Sequence, residues 1–196
     1  MFQVRIHGRG GQGVVTAAEI LSVAAFAEGR HAQAFPSFGS ERMGAPVVSY
    51  CRIDDRPIRT REPVMEADAL IVQDVTLLHQ VDLFAGLSPE GFVLVNTSRS
   101  LDELGIGDFF KQFHRDRLIT CPATELAIEQ LGRPLPNAAL LGGFAALTGA
   151  VTLEAIETAV RDRFGGTVGE RNATAAAAAY RYVTLAQEEL DRAATN

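Results

Sequence analysis

Cysteine is scarce: the 196 residues contain two, Cys51 and Cys121. They stand far apart, without a Cys or His close by, and no C-x-x-C occurs. By itself, then, the chain supplies neither an iron–sulfur cluster nor a cysteine-rich zinc site. Cys51 sits in an apolar, β-forming run and reads as a small buried hydrophobe. Basic charge is in deficit, with 18 Lys and Arg against 24 Asp and Glu and a net charge of −6. That balance argues against nucleic acid as a partner, because phosphate neutralisation needs clustered cations. No apolar run approaches the roughly 18 residues of a membrane helix, so no membrane partner is expected. No basic region followed by an apolar stretch opens the chain, and a cytoplasmic protein is expected. The P-loop lysine motif and the nucleophile elbow are missing as well. His7, His31, His79 and His114 are scattered, with no pair at metal-ligand spacing. No metal site is therefore expected, and no catalytic residue is assigned.

What remains is an ordinary globular composition, 47% hydrophobic, over a length suited to one domain spanning residues 1–196. Its organising stretch is Val4-Arg5-Ile6-His7 followed by Gly8-Arg9-Gly10-Gly11-Gln12-Gly13. An apolar strand runs into Gly8-x-Gly10-x-x-Gly13, and apolar positions Val15, Ala18, Leu21 and Ala25 at helical spacing predict a helix from about Gln12 to Ala27. Such glycines allow a tight turn, a close ligand approach and a helix packed on its strand. The free N–H groups at the helix start suit a phosphate or carboxylate. His7 at the strand-to-turn junction reads as a hydrogen-bonded residue beside the turn.

Further strands are expected at His31–Phe35, Val47–Ile53, Ala69–Val72, Phe92–Asn96 and Arg117–Thr120. Ala69–Val72 and Phe92–Asn96 are continuously apolar, as in strands covered on both faces. Asp54-Asp55 reads as a turn and Pro57-Ile58-Arg59 as a return strand, giving a hairpin. Helices are expected at Leu77–Phe84, Thr124–Leu131, Ala138–Leu147, Leu153–Phe164 and Glu170–Ala193. Thr152 is the expected N-cap of the fourth, with Gly165-Gly166 closing it. The alanine run 173–179 gives a slim face for close packing. The whole reads as an α/β fold: a Rossmann-like, doubly wound, mostly parallel sheet with a β-hairpin insertion and a helical C-terminal third.

A glycine turn alone does not make a nucleotide site. An NAD site wants an acid at the end of strand two, about 20 residues on. Here that region reads Ala32-Gln33-Ala34-Phe35-Pro36, so a stand-alone NAD(P)-dependent oxidoreductase is the lesser reading.

In order along the chain, several stretches resemble one family. Gly8-Arg9-Gly10-Gly11-Gln12-Gly13-Val14-Val15-Thr16-Ala17-Ala18 resembles the opening motif of the gamma subunit of thiamine-diphosphate-dependent 2-oxoacid:acceptor oxidoreductases, of which pyruvate:ferredoxin oxidoreductase is a member. The loop Phe35 to Val47 is similar to its second motif, departing from it at Ser40 and Met43. Pro136-Asn137-Ala138-Ala139-Leu140-Leu141-Gly142 and Arg171-Asn172 resemble two later signatures. The resemblance spans nearly the whole chain.

It implies a subunit of a complex that decarboxylates a 2-oxoacid oxidatively, forms an acyl-CoA and passes electrons to ferredoxin or another acceptor. The Phe-Pro-Ser-Phe form of the loop resembles members acting on pyruvate and on aryl or branched 2-oxoacids. The implied partners are alpha and beta catalytic subunits and a ferredoxin-like subunit. They would hold thiamine diphosphate, magnesium and iron–sulfur clusters, none of them bound by this chain alone. Gly8, Arg9, Gly10, Gly11, Gln12 and Gly13 would lie in the coenzyme A region, Arg9 adding a charge-assisted contact to a phosphate. Phe38, Gly39, Glu41, Arg42, Gly44 and Asn137 would meet a partner subunit or a ligand. A turn that binds nothing, in a purely scaffolding subunit, is the competing reading.

Overall fold

The most apolar runs of the chain lie in the middle of its single sheet. The computed structural model describes residues 1–37, 43–107, 111 and 113–195. Six strands, β1 (Phe2–Arg9), β2 (His31–Pro36), β3 (Pro46–Asp54), β4 (Ala67–Val72), β5 (Leu87–Asn96) and β6 (Leu118–Cys121), are laid in the order β2-β3-β1-β4-β5-β6. β1, β4, β5 and β6 are parallel neighbours, while β3 runs antiparallel to both β1 and β2. β1 and β4, flanked on both sides, carry Val4, Ile6, Ala69, Leu70, Ile71 and Val72, all buried.

Side chains alternate between the two faces of the sheet. Val4, Ile6, Cys51, Ile53, Ala69, Ile71 and Leu94 face a helical layer. That layer comprises α1 (Val14–Ala27), α2 (Ala123–Leu131), α3 (Asn137–Thr148), α4 (Leu153–Phe164) and α5 (Gly166–Thr195). Tyr50, Leu70, Val72, Val93 and Val95 face the other way and are covered by Val64, Leu77, Leu83 and Leu104. The chain thus winds on both faces, but among the described residues the winding between β4 and β6 uses 3-10 turns at Val75–His79 and Arg115–Arg117 rather than α-helices.

The alanine run is packed as expected. Ala173, Ala175, Ala176 and Ala179 are buried, and a Cβ on Gly142 would lie only 2.0 Å from the Ala176 carbonyl oxygen. α3 and α5 therefore touch backbone to backbone, and nothing larger than glycine fits at 142. Cys51 is fully buried in this layer, its thiol pushed up to about 12 by burial.

Three local expectations are corrected. Pro57–Arg59 forms no return strand; the antiparallel partners of β3 are β1 and β2, both ahead of it in sequence. The Arg52 guanidinium draws the chain away from a hairpin by donating to the Glu62 carbonyl. Leu77–Phe84 is not an α-helix: a 3-10 turn capped by Asp74 ends at His79, and Leu77 and Leu83, both buried, are not at helical spacing. Gly165 alone caps α4, and α5 starts at Gly166, four residues before the expected start.

Candidate functional site

Parallel strands bring their carboxyl ends to one edge of the sheet, and in this sheet that edge gathers the glycine turn with polar residues following β4, β5 and β6. Each glycine of the turn has its own reason. A Cβ on Gly8 would lie 2.6 Å from Cγ2 of Val14, so the bare backbone lets α1 settle on β1. Gly11 and Gly13 have φ of +92° and +73°, a left-handed conformation costly for other residues. Gly10 is held by the chain itself: its N–H donates to the Ala45 carbonyl (2.9 Å), and its carbonyl accepts from the Gly44 N–H (3.1 Å). A parallel bridge between Gly10 and Met43 completes this clasp.

Arg9 is a brace rather than a free cation. Its Nε donates to Asp74 Oδ2 at 3.1 Å, Nη1 to the Gly44 carbonyl at 3.0 Å, and Nη2 to Thr76 Oγ1 at 2.7 Å and Gln80 Oε1 at 2.9 Å. Gln12 closes the network, accepting from the Arg9 N–H (2.7 Å) through Oε1 and donating to Asp74 Oδ2 (2.9 Å) through Nε2. Partial burial of the Asp74 carboxylate pushes against ionisation. Hydrogen bonds from Thr76 and Gln12 and the charge of Arg9 outweigh it, and its pKa is lowered. With four acceptors inside its own chain, Arg9 spends four of its five guanidinium N–H groups on bracing the turn.

The open donors lie elsewhere. α1 begins at Val14 with no side-chain cap on its N-terminus. The N–H groups of Val14, Val15 and Thr16 precede the first carbonyl a helix offers and stay without a helical partner. Behind the turn, Gln73 is 2% exposed, and neither of its amide atoms has a partner among the described residues. His7 is largely buried as well, its Nε2 unpartnered and its pKa lowered to about 4, by burial first and by the Arg5 charge second. The expected hydrogen bond of its side chain is therefore not made at Nε2. Asn96 ties the neighbouring strand ends, donating to the Gln73 carbonyl and Thr124 Oγ1, both at 2.8 Å, and accepting from the Thr124 N–H at 3.0 Å.

Of the second group of candidates, Gly44 joins the site through its bonds to Gly10 and Arg9. Asn137, the first residue of α3, is buried against the turn, its Nδ2 lying 2.8 Å from where a Cβ on Gly13 would be. Phe38, Gly39, Glu41 and Arg42 lie outside the described residues. Asp74, Gln73 and Asn96 are site residues that the sequence reading missed. Their signal was position: polar side chains at or immediately past apolar parallel strands, where ligands of open α/β sheets gather.

This geometry can be set beside known proteins. Residues 3–182 match the pyruvate ferredoxin/flavodoxin oxidoreductase family. The chain belongs to that family. It is 50% identical over 180 residues to the pyruvate/ketoisovalerate oxidoreductases common subunit gamma of Pyrococcus furiosus, covering 92% of this chain and 96% of that one. Against pyruvate synthase subunit PorC of Methanocaldococcus jannaschii it is 47% identical, with the same coverage of each. The crystal structure of the pyruvate oxidoreductase subunit PORC of Thermotoga maritima superposes with a TM-score of 0.77 at 34% identity, over 92% of this chain and 95% of that one. Within the family the chain is a gamma-type subunit of a multi-subunit 2-oxoacid oxidoreductase, not a stand-alone NAD(P) enzyme. Such complexes use thiamine diphosphate, iron–sulfur clusters and coenzyme A. Among the described residues no group of three or more His, Cys, Asp or Glu gathers as a metal site, and both cysteine thiols are buried and pushed up to about 12. These residues do not fit a cluster or a magnesium ion. Nor is any helix of the described residues long and apolar enough to cross a membrane.

Proposed function

We propose that this subunit builds the region where coenzyme A enters the complex, the first turn of α1 receiving one of its phosphates. Alpha and beta subunits hold thiamine diphosphate with its magnesium, a ferredoxin-like subunit carries the clusters, and the assembly works in the cytoplasm on pyruvate or an aryl or branched 2-oxoacid. One observation carries the reading: the uncapped N–H groups of Val14, Val15 and Thr16 above a left-handed Gly13. Together with the positive end of the helix dipole, these groups favour an anion. The role of Arg9 and Gln12 is then to hold the turn in shape through Asp74, not to touch the ligand. Met43 serves a different purpose. It is 87% exposed, a large apolar side chain left for a neighbouring subunit to cover.

Thr16→Asp tests the phosphate role. An acid in the first turn of α1 favours the helix but competes with a bound anion. In the reconstituted complex the KM for coenzyme A should rise about tenfold, with kcat unchanged and the thermal midpoint not lowered. An unchanged KM in a fully assembled complex would leave the turn with a shaping role only.

A further inference from the structure

The two edges of the sheet are not alike. β6 is four residues long and follows directly on the 3-10 turn Arg115–Arg117, whose charges blunt it. β2 has six, His31-Ala32-Gln33-Ala34-Phe35-Pro36, without a lysine, an arginine or an acid, and no strand of the described residues pairs with its far side. The alternation of an antiparallel ladder tells which backbone groups are left open. The Ser37 N–H donates to the Val48 carbonyl at 2.9 Å, so residues 31, 33, 35 and 37 turn their backbone groups toward β3. Ala32, Ala34 and Pro36 turn theirs outward, Pro36 without a donor.

α1 flanks this edge and leaves apolar surface open beside it. The helix packs over β2 and β3, and its outward stripe carries Glu19, Val23 and Phe26, with Val23 49% and Phe26 72% exposed. A groove of about 460 Å³ lies along the stripe, between Ile20 and Val23 of α1, Ala34 of β2 and Ala159 of α4. Its rim bears both signs of charge, Asp162 and the pair Glu19–Arg163 (3.6 Å). A rim of mixed sign selects neither an acidic nor a basic partner. Open backbone groups, an apolar knob at Phe26 and a hole beside it share one surface, which is what a self-complementary contact needs.

We infer that the β2 edge joins a second copy of this chain across a two-fold axis, β2 antiparallel to β2, to give one continuous sheet. The axis lies at Gln33. Ala32 of each copy then exchanges N–H···O=C bonds with Ala34 of the other, and Pro36, which has no donor to give, falls outside the pairing. A register centred on Ala34 would set Pro36 against Ala32, where a donor is wanted. The helices agree with this placement. A strand added about 4.8 Å from β2 brings the two copies of α1, each over its own β2 and β3, to about 10 Å, the packing distance of helices. Phe26 of one copy then enters the groove beside Ile20 of the other, and the two Val23 side chains meet near the axis.

Sedimentation velocity on the full chain, on a Val23→Glu/Phe26→Glu double variant and on Gln33→Cys tests this. The wild-type chain should pass from monomer to dimer as its concentration rises, with a Kd of about 10 µM. The double variant sets like charges against each other across the axis and should weaken the dimer roughly thirtyfold or more, while circular dichroism stays unchanged because both positions are exposed helix surface. Gln33→Cys places two thiols opposite each other in a non-hydrogen-bonded pair, about 4.5–5.5 Å between Cβ atoms. Mild oxidation should link the copies through it, and should not link them through Glu129→Cys on α2; the native Cys51 and Cys121 are buried. A chain that stays monomeric to about 300 µM, a dimer indifferent to the double substitution, or a dimer that Gln33→Cys does not link would each overturn the inference. So would hydrogen exchange at Ala32 and Ala34 that slows only when the other subunits of the complex are added, which would give this edge to one of them.

Discussion

The two faces of the sheet solve the same problem with different materials. The helical face satisfies its backbone within helices, so small side chains suffice, and Gly142 and the alanines of α5 bring backbones into contact. The opposite face is covered by irregular chain whose carbonyls have no ladder to join. There arginines do the satisfying. Arg5 Nη2 donates to the carbonyls of Leu83 (3.4 Å) and Ala85 (2.6 Å), Arg52 to that of Glu62, and at one edge of the sheet Arg117 to that of Glu90. Arg52 also lies over the Phe35 ring at 5.0 Å. One face is held by steric fit, the other by buried cations stapling loops, and the two should fail differently.

The hardest break is on the helical face. Gly142→Val drives a side chain into the Ala176 carbonyl, and the loss should be about 3 kcal/mol or more, as for severe overpacking, read from urea unfolding. A loss below about 1 kcal/mol would mean that α3 and α5 can part without cost. Arg5→Met acts on the other face. It should cost roughly 2–3 kcal/mol by leaving carbonyls unpaired, with hydrogen exchange rising first across residues 80–86 rather than through the helices. Smaller and pH-dependent is the effect of His7. Its folded pKa, lowered to about 4, lies below the ordinary unfolded value of about 6.5, so the unfolded chain binds more protons between those limits. Stability is full above about pH 6.5 and falls as the pH drops toward 4, by about 2 kcal/mol from pH 7 to pH 5. His7→Gln should flatten that slope; a slope that persists in the variant would place the proton uptake elsewhere.

Legibility followed the same division. The parallel strands and C-terminal helices were readable because apolar periodicity and capping residues such as Thr152 are local signals. The 3-10 turn at Val75–His79 and the missing return at Pro57–Arg59 were not. There the chain is shaped by Asp74 and Arg52, and the bond of Arg52 to the Glu62 carbonyl spans a stretch with no periodicity. The glycine turn was visible from its spacing, and Gly13, the last glycine of that spacing, has a left-handed conformation. The engagement of Arg9 was invisible because its partners, Asp74, Thr76 and Gln80, lie more than sixty positions away.

The clasp between Gly10 and residues 43–45 has a mechanical consequence. It joins the exposed Met43 segment to the peptide three residues before Gly13 through two backbone bonds, with Arg9 as a third tie to Gly44. A neighbour gripping Met43 would pull on the same rod that sets the height of α1 above the sheet. Assembly and the shape of the opening turn are thereby geared together, and a subunit that docks out of register would carry the turn out of true with it.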